Sequence, residues 1–77
     1  MSELEQEIAL QKRARKMKEI LENDFYGAIE DIYRITKNEE QTLALMIMAC
    51  LIAKVEIEEK VITERVSRVV QKWNTLN

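Results

Sequence analysis

The sequence contains no proline and no histidine, one glycine (Gly27), one cysteine (Cys50) and only 5% aromatic residues among 77. Each shortage excludes something. With no proline and one glycine, the turn chemistry that punctuates sheet proteins is nearly missing, while the chain is 47% hydrophobic and 34% charged. The class these features predict is all-α. The lack of histidine removes imidazole acid-base catalysis, Ser-His nucleophiles and imidazole metal ligands. A lone cysteine cannot close a disulfide within the chain, so nothing argues for secretion. The formal net charge of -2 supplies no overall pull toward nucleic acid or an anionic membrane, and any such role needs a local patch. Met1 to Leu10 carries three glutamates and lacks the basic start and apolar stretch of a signal peptide. The expected location is the cytoplasm.

What the sequence does have is an uninterrupted greasy run, "LALMIMACLIA", from Leu43 to Ala53. It is too short for a bilayer, because about 30 Å of hydrocarbon takes roughly 20 apolar residues at about 1.5 Å each. An apolar helix that is sticky all round is normally one surrounded by protein. In a single domain spanning residues 1–77, one core yields about 3–5 kcal/mol, and oligomerisation is a common remedy.

Placed about 100° apart on a helical wheel, Leu10, Ala14, Met17, Leu21, Phe25, Ala28, Ile32 and Ile35 fall into one stripe, with Ile20 and Ile29 at its margins. This predicts a long first helix from about Glu3 to Ile35. Its weak points are Asn23, Asp24 and Gly27, where it bends or divides; the stripe runs through them in phase, which favours one helix. Leu4 and Ile8 lie off the stripe, so residues 1–9 are expected to fray or to meet a different surface. Thr36 with Glu39, or Asn38 with Gln41, has capping-box spacing, so a second helix starts near Glu39 and runs to about Lys54. Ile62, Val66, Val69, Val70 and Trp73 share a face of a third, reaching about Asn74. The predicted architecture is three antiparallel helices completed as a dimeric bundle, the chain reversing near Glu56 to Glu59.

Lys12, Arg13, Arg15, Lys16 and Lys18 put five cations into seven residues, on an arc opposite the stripe. They suit phosphate contact or an acidic protein partner, or simply a solvated face balanced by Glu5, Glu7, Glu19 and Glu22. Arg65 and Arg68 near the start of the last helix invite comparison with a DNA-reading helix, but the short Gly-containing turn of that motif is missing. Glu19 with Glu22 and Glu56 with Glu59 are the only spacings suggestive of a carboxylate-held Mg²⁺ hydrolase, and glutamate is abundant enough to produce them by chance. No cofactor, metal site, catalytic residue, small-molecule substrate or membrane association is expected. Cys50, between Ala49 and Leu51, suits a buried hydrophobe. The residues expected at an oligomer or partner interface are Met17, Leu21, Phe25, Leu43, Met46, Ile47, Met48, Leu51 and Trp73, with Tyr26 and Tyr33 at its edge. The function predicted is a non-enzymatic helical adaptor, inhibitor or regulator that binds itself or another protein; the alternative is a nucleic-acid-binding regulator using residues 12–18.

Overall fold

Asp24 divides the expected first helix. The computed structural model describes residues 2–76 and contains four helices there: α1 Glu3–Asn23, α2 Phe25–Thr36, α3 Glu39–Ala53 and α4 Glu59–Leu76. At Asp24 the backbone leaves the helical region (φ -145°, ψ 61°), and its carboxylate accepts the Gly27 amide at 3.2 Å. Aspartate gains more by capping free amides than by continuing a helix, so one 33-residue expectation becomes two helices and the predicted three becomes four. The break also resets the phase. On α2 the buried side chains are Phe25 and Ile29, whereas Ile35, placed on the stripe by sequence, is 84% exposed.

Gly27 sits where a Cβ would collide with the capping carboxylate of Asp24. Alanine normally adds about 1 kcal/mol to a helix at a glycine position, and a lost Asp cap costs about the same. Gly27→Ala is therefore expected to leave stability nearly unchanged in the native sequence, but to raise it by about 1 kcal/mol once Asp24→Ala has already removed the cap. Thermal melts of the two single variants and the double variant measure this coupling; strictly additive changes would contradict it.

The other boundaries follow from local hydrogen bonds. Ser2 caps α1 by accepting the Glu5 amide at 3.2 Å, and Glu3 and Glu5 lie favourably on the positive helix end. Helix α1 is continuous from Glu3 onward; Met1 and Asn77 lie outside the described residues. Asn38, not Thr36, caps α3, accepting the Gln41 amide at 2.9 Å. The Thr36 hydroxyl instead meets that of Thr42 at 2.7 Å, and Thr42 also donates to the Asn38 carbonyl at 2.8 Å, so the one buried polar side chain among the described residues is satisfied. Helix α3 ends in a Schellman motif: Lys54 takes left-handed dihedrals, its amide reaches the Leu51 carbonyl at 3.3 Å, and the Val55 amide reaches Cys50 at 2.9 Å. Val55 folds onto the core, which gives a reversal without glycine or proline. The acidic segment before Glu59 is this connection, and α4 then runs two residues past the expected end at Asn74.

Leu21, Phe25, Ile29, Met46, Cys50, Ala53, Ile62, Val66, Val69 and Val70 make one core. Helices α2 and α3 occupy its centre, α1 and α4 pack on either side of them, and among the described residues the backbones of α1 and α4 do not come into contact. The molecule measures 48 × 24 × 20 Å. Among the described residues no helix is long and apolar enough to cross a membrane.

Candidate interaction surface

The wheel of α3 has two apolar halves with different fates. Thr42, Met46, Cys50 and Ala53 point inward and are at most 5% exposed. Ala44, Leu45, Met48, Leu51 and Ile52 point outward, and the four larger ones are between 43 and 73% exposed. A surface helix ordinarily carries polar residues on that side. Here no other element among the described residues covers it, and contiguous apolar exposure marks contact surfaces.

The interface residues proposed from sequence therefore separate. Leu21, Phe25 and Met46 are core side chains of the single chain. Met48 and Leu51 are open to solvent, and Met17, Leu43, Ile47 and Trp73 are half-buried at the edge of the core. Trp73 stands edge-on to Tyr33, with ring centroids 6.1 Å apart. Sequence reasoning missed Leu45 and Ile52 on the open face and Ile20 on α1. The signal was present in the apolar run, but its exposed half could be told from its buried half only once the neighbours of α3 were placed.

Beside this face lies an apolar groove of about 390 Å³ between α1, α2 and α3. Met17, Ile20, Ala28, Ile32 and Ala49 form its wall, with Arg13, Lys16 and Asp31 also lining it. A second groove, of about 620 Å³, runs between α1 and the end of α3, where Leu10, Ala14, Ile52 and Ala53 meet Arg15, Lys18 and Lys54. The basic cluster is thus not confined to an arc opposite the apolar stripe: Arg13 and Lys16 border one groove, Arg15 and Lys18 the other. All five cations are exposed, and the single ion pair they make among the described residues is Lys18 to Glu22 at 3.9 Å. The carboxylates expected to balance the cluster leave most of it free.

Arg65 and Arg68 are engaged internally. The Arg65 guanidinium lies 4.9 Å from the Phe25 ring centre and 5.8 Å from that of Tyr26, and Arg68 meets Glu64 at 2.9 Å. Tyr26 and Glu64 together hold Arg68 further toward its charged form. Glu19 and Glu22 stand on α1, whereas Glu56 and Glu59 precede and open α4, a helix whose backbone does not contact that of α1 among the described residues. Among the described residues no three His, Cys, Asp or Glu side chains converge as a metal site would require, so the two Glu pairs do not face each other.

Cys50 is buried, and desolvation pushes its thiol pKa up. The thiolate is the reactive species. In the native protein at neutral pH, Cys50 should react with a disulfide reagent only as fast as the fold opens, and at the rate of a free thiol in denaturant. Rapid native labelling would show that this part of the core is open.

Comparison with profiles of known protein families, with curated proteins and with solved structures finds no match for this chain.

Proposed function

We propose that the protein is a non-enzymatic, protein-binding helical module, an adaptor, inhibitor or regulator that works as a subunit of a homodimeric or heterodimeric assembly in the cytoplasm. The observation that carries this reading is the outer face of α3, where Leu45, Met48, Leu51 and Ile52 stand in water. Such a face fits the stripe of another amphipathic helix, read through anchors three and four residues apart. Arg13 and Lys16 beside the adjoining groove favour a partner whose helix carries carboxylates along its flank. A photo-crosslinking residue at position 51, compared with one at the exposed Lys60 on α4, tests it. A protein adduct specific to position 51, and lost when Met48 is changed to Glu, is the expected result. Equal adducts from both positions, or none, would end the reading.

A second reading, a nucleic-acid-binding regulator, is favoured by Lys12, Arg13, Arg15 and Lys16, which are exposed and make no ion pair among the described residues. Its signature is affinity for DNA or RNA that falls steeply between about 50 and 200 mM salt. Absence of binding at the lower salt removes it.

A further inference from the structure

The first turns of α1 carry a feature that the fold of one chain does not use. Leu4 and Ile8 are one turn apart on α1, off the stripe that packs on the body, and are 66% and 44% exposed. Glu3, Glu5 and Glu7 surround them. Ten residues further on, the same helix is basic, and there Leu10, Ala14 and Ile52 form an apolar trough with Arg15, Lys18 and Lys54 at its edges and Glu7 and Gln11 of the same helix also lining it. One helix therefore holds both halves of a complementary pair: an apolar step flanked by acids, and an apolar trough bordered by three bases against one acid.

We infer that α1 pairs antiparallel with α1 of a second copy, seating Leu4 and Ile8 of each chain in the trough of the other. The partner is a second copy because the complementarity is reciprocal: a two-fold axis near Gln11 brings both acidic halves onto both basic halves at once, which is the self-matching patch a symmetric dimer requires. With the axis there, Glu7 falls opposite Arg15 of the partner subunit, and Glu5 falls opposite the stretch between Lys16 of the partner subunit and Lys18 of the partner subunit. A parallel arrangement would set acid against acid and base against base. The overlap spans most of the helix, about 25 Å at about 1.5 Å per residue. This pairing rests on the reading of the protein as an assembling module, but of the outer α3 face it uses only Ile52. Leu45, Met48 and Leu51 do not border the trough and stay free for another protein.

Charge reversal tests the pairing on the full chain. The acidic half is reversed by Glu3→Lys, Glu5→Lys and Glu7→Lys, and the basic half by Arg15→Glu and Lys18→Glu. Sedimentation equilibrium of the unaltered protein should approach twice 9.1 kDa with rising concentration, each reversed variant should self-associate at least about tenfold more weakly, and an equimolar mixture of the two variants should recover the dimer. Recovery on mixing shows that both variants are folded, and far-ultraviolet circular dichroism checks each alone. A wild-type chain that stays monomeric throughout, or a dimer indifferent to both reversals, overturns the proposal. Adducts from position 51 with a different protein alongside a monomeric wild type would leave the protein-binding reading standing while removing this one; a dimer with no such adduct would do the reverse.

Discussion

Met46→Ala and Ile29→Ala should each lower the unfolding free energy by about 2–5 kcal/mol, enough to leave much of the protein unfolded at 37 °C. Both side chains are fully enclosed at 0% exposure, one on α3 and one on α2, so truncation removes buried methylenes and leaves a cavity that close-packed neighbours fill only in part. The decisive comparison lies five residues further along α3. Leu51 is as greasy as Met46 and belongs to the same helix, yet it is 73% exposed, and Leu51→Ser should shift stability of the isolated chain by no more than about 0.5 kcal/mol. Urea titrations followed by circular dichroism measure both. Equal losses at positions 46 and 51 would mean that the outer half of α3 is covered in solution by something already bound, at the concentration of the experiment.

Met48→Glu combined with Leu51→Glu should reduce affinity for a protein partner at least about thirtyfold, since central interface anchors are each worth about 2 kcal/mol or more. The same pair should leave helix content and melting temperature nearly unchanged, because neither side chain belongs to the core. It should also make the protein more soluble, by breaking up an exposed apolar patch with charge. The readouts are the crosslinking yield at position 51, the melting temperature and the solubility limit. A variant that melts well below the parent would place these residues in the fold rather than on a contact surface. Met46→Ala and the double substitution thus act on opposite sides of one helix, and the two-residue step from Met46 to Met48, about 200° around it, should exchange a stability effect for a binding effect.

Much of this was legible in the residues. The absence of proline with a single glycine pointed to helices, Asn38 with Gln41 marked the start of α3, and the periodic valines of α4 with Ile62 identified the face that is buried. The break at Asp24 was visible as a weak point, but the hydrophobic phase ran across it and argued for continuity. That argument failed because a capped junction leaves the second helix free to rotate by any amount, so matching phase on either side says nothing about whether the backbone continues. Ile35 was read as buried for the same reason and is almost fully exposed.

By itself the sequence determined that the chain is helical, where most of its helices begin and end, and that Leu43 to Ala53 exceeds what a surface helix needs. Those are local properties, set by propensity, capping and the period of the side chains. Only the tertiary structure decided which half of α3 is covered, that Leu21, Phe25 and Met46 serve the core, and that four of the five clustered cations of α1 border two grooves instead of all lying opposite the apolar stripe. Burial depends on which helices become neighbours, and an apolar residue carries no mark in the sequence that says whether the surface opposite it belongs to its own chain or to another.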